Sequence, residues 1–102
     1  MTVLAEFTIF PLDKGESLSP YVARCLDVIA SSGLTYRCNA MSTVLEGDLD
    51  DVLAVVRRCF ETLADCRRIE CELRLDYRRD HVSRIDAKVA SVEQKLGREL
   101  AK

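Results

Sequence analysis

Glycine is scarce in this chain of 102 residues, with four in all, and they stand apart at Gly15, Gly33, Gly47 and Gly97, one to each connection. No G-x-G-x-x-G or G-x-x-x-x-G-K-[ST] loop can be assembled from them, which removes the usual sequence warrant for nucleotide binding. Histidine occurs once, as His81 in a charged segment, with no second His or Cys at ligand spacing. That makes a poor metal site and a loop residue, and no Ser-His-Asp or Cys-His arrangement supports catalysis. Charge of one sign is lacking too: 15 basic residues against 17 acidic ones give a formal charge of −2. A nucleic-acid backbone is therefore not the expected partner, since such binding rests on concentrated Lys and Arg. No apolar run approaches the roughly 18 to 20 residues that cross a bilayer. Met1 to Glu6 shows neither a basic n-region nor a long apolar h-region, so no membrane partner and a cytoplasmic location are the expectations. The five cysteines, Cys25, Cys38, Cys59, Cys66 and Cys71, are odd in number and form no C-x-x-C. A disulfide framework and a zinc knuckle are both disfavoured, and reduced, mostly buried thiols are expected.

What is present is an ordinary globular balance, 48% hydrophobic and 31% charged, at a length that suits one domain over residues 1–102. Val3, Ala5, Phe7 and Ile9 alternate with Leu4, Glu6, Thr8 and Phe10, the period-2 pattern of a half-buried strand, which Pro11 stops. Ser19-Pro20 reads as an N-cap and first helical residue, opening a helix to about Ser32 with Val22, Cys25, Leu26 and Ile29 on one face and Gly33 as its cap. Thr35 to Ala40 and Ser42 to Glu46 form a hairpin by pattern. Asp48 or Asp50 caps the next helix, where Leu49, Val52, Leu53, Val56, Phe60 and Leu63 keep helical spacing. Arg67 to Arg78 is a long strand with Ile69, Cys71, Leu73 and Leu75 on one side and Glu70, Glu72, Arg74 and Asp76 on the other. From Val82 a narrow seam, Val82, Ile85, Val89, Val92 and Leu96, suits a helix packed against one neighbour.

This order predicts an α+β, ferredoxin-like βαββαβ antiparallel sheet with helices on one face and an extra C-terminal helix. The other face is expected to carry Glu6, Thr8, Arg37, Asn39, Glu46, Glu70, Glu72, Arg74 and Asp76, and either to lie in water or to pack on another subunit around a polar pocket. Such a sheet can bind RNA, but Ser42 to Glu46 lacks the aromatics that stack bases.

Asn39 to Gly47 is the candidate ligand stretch, because it turns between two strands while carrying polar groups that a core does not need. Glu46 could accept from a ligand amino group or be a solvated acid; Asn39 and Thr43 could hold a ligand or merely tie down the turn. Met41-Ser42-Thr43-Val44-Leu45-Glu46-Gly47 resembles the M-G-T-x-x-E-G signature of the small thiamine-binding, YkoF-like family, and Asp76-Tyr77-Arg78-Arg79 its D-x-R-R. The Ala5 to Pro11 strand, Tyr21-Val22-Ala23, Ser32 to Tyr36 and Lys88 to Gly97 are similar as well, so the likeness covers nearly the whole chain; Ala40 and Ser42 stand where the family often has Pro and Gly. The resemblance implies binding of thiamine or its hydroxymethylpyrimidine part without catalysis, with no cofactor, by subunits that associate through their sheets into a dimer of dimers. In that reading Glu46 meets a ligand amino group or the positive ring, Asn39 and Thr43 fix the pyrimidine, Met41 forms a wall, and Phe7 or Phe10 lends apolar surface. The alternative is a structural or regulatory oligomeric module with no small-molecule ligand.

Overall fold

The alternation in the first segment is realised as a ten-residue strand, β1 (Thr2–Pro11), whose odd residues Val3, Ala5, Phe7, Ile9 and Pro11 are all buried. In the computed structural model, which describes Met1–Lys102, it is followed by α1 (Ser19–Ala30), β2 (Thr35–Cys38), β3 (Thr43–Asp48), α2 (Leu49–Thr62), β4 (Ile69–Tyr77) and α3 (Arg84–Leu96). The strands form one sheet in the order β2-β3-β1-β4, every pair antiparallel. This is the ferredoxin-like α+β arrangement with a third helix appended.

Register divides the residues between two faces. Ala5 pairs with Leu45 on one side and Leu75 on the other, and Leu45 pairs with Tyr36, so these side chains share the face that α1 and α2 cover. Into that face the helices press Cys25 and Ile29 from α1 and Val52, Val55, Val56 and Cys59 from α2, with Leu63 just beyond α2. Leu45, Val52, Cys59 and Leu63 are completely excluded from water, a burial that contributes about 1.5–3 kcal/mol for each large aliphatic side chain. Gly47 lies in β3 rather than in a connection, and Leu34 packs over its bare Cα, so that a Cβ there, 2.8 Å from Leu34 Cδ2, would make the Leu34 side chain shift.

Several local expectations are corrected. Ser19 does not cap α1: the N-cap is Leu18, whose carbonyl accepts from Tyr21 N–H and Val22 N–H at 3.0 Å each, and Pro20 sits where a missing N–H costs nothing. Ser31, not Gly33, is the C-cap. In α2 the buried stripe includes Val55 and Cys59, while Leu53 and Phe60 face outward. Asp48 is the cap of α2, accepting from Asp50 N–H at 3.2 Å. The hairpin is asymmetric: β2 ends at Cys38, β3 runs on to Asp48, and residues 39–42 form a four-residue connection closed by Asn39 N–H donating to Ser42 O at 2.9 Å. Asn39 thus lies at the hairpin tip, just past the end of β2, where it borders both faces of the sheet.

The third helix lies against the sheet face opposite α1 and α2. It begins at Arg84, two residues later than its apolar seam suggested, after a connection in which Asp80 and Ser83 both adopt left-handed backbone angles (φ 62° and 56°). Ser83 makes no side-chain cap; the carboxylate of Glu46 serves instead, accepting from Arg84 N–H at 2.6 Å and Ile85 N–H at 3.3 Å. Arg84 is itself buried and pairs with Asp76, while Lys88 reaches the same carboxylate at 3.2 Å and Arg37 Nη2 grips both oxygens of Asp86 at 2.9 and 3.1 Å. Ile85 and Val89 are half-buried, whereas Val82, Val92 and Leu96 remain exposed. The radius of gyration, 15.0 Å, exceeds the roughly 13 Å of a compact chain this long.

Candidate functional site

Pairing between β1 and β3 stops at Phe7 and Thr43, but β1 continues to Pro11 paired with β4 alone. From Thr8 to Phe10 one strand edge therefore opens into a gap instead of meeting a neighbour. The hairpin tip closes that gap on one side and α1 on the other. The result is a cleft of about 200 Å³ lined by Phe7, Thr8, Ile9 and Phe10 from β1, by Val22, Cys25, Leu26 and Ile29 from α1, and by the stretch from Cys38 to Thr43.

Five of the six expected ligand residues, Phe7, Phe10, Asn39, Met41 and Thr43, meet in this one cleft. Glu46 is apart from them. Strand parity sets it beside Leu45 but on the opposite side of the sheet, where it is 7% exposed and fully engaged with the start of α3. Met41, 86% exposed, stands at the mouth of the cleft. The α1 wall was legible as a helix face but not as a site; its signal is Val22, which continues the apolar stripe of Cys25 and Ile29 beyond what the core buries.

The chemistry of the lining is uniform: it contains no Asp, Glu, Lys, Arg or His. Apolar side chains form most of the wall, and the polar atoms are the amide of Asn39, the hydroxyls of Thr8, Ser42 and Thr43, two thiols, and the open main-chain edge of β1. Such a site can sandwich a flat ring and satisfy a donor–acceptor edge, but it offers no cation for a phosphate and no carboxylate or imidazole to move a proton. Ser42 steadies the tip from below by donating its hydroxyl to Glu6 Oε2 at 3.0 Å, and Glu6 in turn lies 3.8 Å from Arg74. His81 is remote from the cleft, exposed in the connection before α3, with Nδ1 3.0 Å from Arg79 O. Nor are the cysteines uniformly buried: Cys25 and Cys59 are, Cys66 and Cys71 are intermediate, and Cys38 is exposed at the hairpin. No helix is long and apolar enough to cross a membrane.

A larger groove of about 510 Å³ runs on the other face between the hairpin and α3, over Val44, Ile85 and Val89, with Arg37, Asp86, Glu93 and Lys102 at its rim. Its charges are already matched, Arg37 with Asp86 and Lys102 with Glu93 at 2.7 Å. The two cavities share Cys38 and Asn39, so the hairpin is the partition between an uncharged cleft and a charged groove.

Comparison with known proteins points the same way as the signature residues. The chain is 40% identical over 91 residues to a UPF0045 protein of Methanocaldococcus jannaschii, an alignment covering 88% of this chain and 91% of that one. A UPF0045 protein of Synechocystis is 38% identical over 95 residues, covering 91% of this chain and 78% of that protein. Among solved structures, a hypothetical protein of M. jannaschii superposes with a TM-score of 0.84 at 37% identity, over 91% of this chain and 97% of that one. A Thermotoga maritima protein, whose name assigns it provisionally to thiamine biosynthesis or salvage, gives a TM-score of 0.78 over 90% of this chain and 99% of that one. At 20% identity this last likeness concerns the fold alone. The family model described as "Thiamine-binding protein" matches residues 5–93, and the chain belongs to that family.

Proposed function

We propose that the cleft between α1 and the hairpin tip binds thiamine through its pyrimidine half, or the free hydroxymethylpyrimidine, and that the protein carries out no catalysis on it. The observation that carries this reading is the convergence of Phe7, Phe10, Asn39, Met41 and Thr43 on one cleft without a charged side chain. An aminopyrimidine is flat and neutral with donors and acceptors along one edge, which suits the Asn39 amide, the Thr43 hydroxyl and the open edge of β1 between aromatic and aliphatic walls. The volume of about 200 Å³ lies below the roughly 300–1,000 Å³ usual for drug-sized ligands, so it favours a single ring over the whole two-ring vitamin. The thiazolium would then extend past Met41 towards solvent or a second subunit. We further propose a cytoplasmic homo-oligomer, a dimer of dimers, in which a partner closes the mouth of the cleft. In this reading Glu46 supports the site from behind by holding α3 to β3 and makes no contact with ligand.

Titration calorimetry with hydroxymethylpyrimidine, thiamine and thiamine diphosphate tests the proposal. The expected result is similar affinity for the three, reduced about three- to tenfold by Asn39→Ala through loss of one or two hydrogen bonds. Unchanged affinity in Asn39→Ala, or affinity that appears only with the diphosphate, contradicts it. A second reading, a structural or regulatory oligomeric module without a small-molecule ligand, draws on the exposed Val82, Val92 and Leu96 along α3. Tetramers that form without ligand and show no thermal shift with thiamine or hydroxymethylpyrimidine would favour it.

A further inference from the structure

Beneath the α1 wall of the cleft two buried thiols face each other across the α1–α2 contact. Cys25 Sγ lies 3.9 Å from Cys59 O, and Cys59 Sγ lies 3.8 Å from Cys25 O, so each side chain reaches the other's backbone. The neighbouring Cys59 side chain holds the Cys25 thiol below its ordinary range, and the neighbouring Cys25 side chain, together with burial, pushes the Cys59 thiol well above its own. Their positions relative to the cleft divide the roles of an attacking and a resolving cysteine between them. Of the pair, Cys25 alone lines the cleft, which Cys38 of the hairpin lines as well; Cys59 is completely excluded from water behind Cys25. A small neutral oxidant that enters the cleft thus reaches Cys25 before Cys59.

We infer that Cys25 and Cys59 are a redox-active dithiol, oxidised by a small peroxide through the cleft to a disulfide that staples α1 to α2. The Cys25 thiolate attacks one peroxide oxygen, breaking the O–O bond to give a sulfenic acid and hydroxide. The Cys59 sulfur then displaces hydroxide from the Cys25 sulfur, forming the S–S bond. Over both steps two thiols lose two hydrogens and one hydrogen peroxide becomes two waters. Mutual approach of the side chains is what such a bond needs, since disulfide formation tolerates little displacement of the two backbones. The staple closes a loop between positions 34 residues apart, restricts the unfolded chain and fixes the cleft wall that carries Val22 and Leu26. It rests on the geometry of the thiols and not on the identity of the ligand. The exposed Cys38 is the competing site, because it needs no cleft to be reached.

The test uses the native chain and a variant with Cys38→Ser, Cys66→Ser and Cys71→Ser, each exposed to hydrogen peroxide in native buffer. The triple variant is expected to lose two hydrogens in intact mass, to retain no alkylatable thiol, and to gain more than about 5 °C in Tm, reversed by dithiothreitol. Peptide mapping of the oxidised native chain is expected to yield a Cys25–Cys59 cross-linked peptide, a readout that holds even if the triple variant folds poorly. In Cys59→Ala the reaction is expected to stop at a Cys25 sulfenic acid trapped by dimedone. Free Cys25 and Cys59 after treatment, oxidation confined to Cys38, or oxygen atoms added without a cross-link would each overturn the inference.

Discussion

Leu45 and Glu46 are neighbours in β3, both almost inaccessible to water, and they belong to two different kinds of structure. Leu45 points to the α1–α2 side, where burial is apolar, the layers interdigitate and the cleft carries no charge. Glu46 points to the α3 side, where a helix with few buried apolar residues is held by a carboxylate cap, the Arg84–Asp76–Lys88 cluster and the Arg37–Asp86 pair. One side is stabilised by exclusion of water, which acts over area and without direction. The other depends on a few directional, salt-sensitive contacts, mostly at the surface. One sheet can therefore keep a rigid site on one face while the helix on the other responds to solution conditions.

Substitutions at these two adjacent positions separate the faces. Leu45→Ala should cost about 2–5 kcal/mol, because it opens a cavity at a completely buried position, and urea or thermal melts should show the whole domain weakened. A loss confined to α3 would break the distinction from one side. Glu46→Ala should cost less, about 1–3 kcal/mol, since it leaves two amides of α3 without their acceptor and Arg84 buried beside the gap. Hydrogen exchange should then rise along residues 84–96, with the amides of β1 and β3 still protected and affinity for hydroxymethylpyrimidine unchanged. Loss of ligand affinity in Glu46→Ala with α3 still protected would return this carboxylate to the ligand.

The smallest effect is expected from acid. Lys88, and after it Arg84, hold the Asp76 carboxyl below the usual carboxylate range. A depressed folded value means that its contribution is fully present above the unfolded value of about 3.9 and fades as pH falls through the lower folded one. Exchange protection of α3 should thus be flat from about pH 5 to 8 and decline below about pH 4. Asp76→Asn should reduce that decline to the part left by Glu93, which Lys102 and the Leu100 N–H also hold low, and an unaltered acid profile in the variant would detach Asp76 from the docking of α3.

Much of this arrangement was legible in the sequence because period is a strong signal. Alternation in β1 and β4 assigned their faces, and helical spacing found α1, α2 and the seam of α3. The candidate residues were legible as types clustered around one turn, and five of them do converge on one cleft. Glu46 was not legible as a cap, since its partners Arg84 and Ile85 lie 38 and 39 residues away and nothing local couples a strand carboxylate to a distant helix start. Val22 and Leu26 read as core positions because the spacing of a helix face is the same whether the face meets a sheet or a cleft. The cleft itself arises where β1 outruns β3, a difference in strand lengths that emerges only from register.

The central claim, a neutral ring site on the α1 side of the hairpin, is tested most directly by amide chemical shifts during titration with hydroxymethylpyrimidine. The account predicts saturating shifts at Thr8 to Phe10, Val22 to Leu26 and Asn39 to Thr43, with Ile85 to Val89 unmoved. Shifts centred on Ile85 to Val89 and Glu46, or none anywhere on the chain, would contradict it.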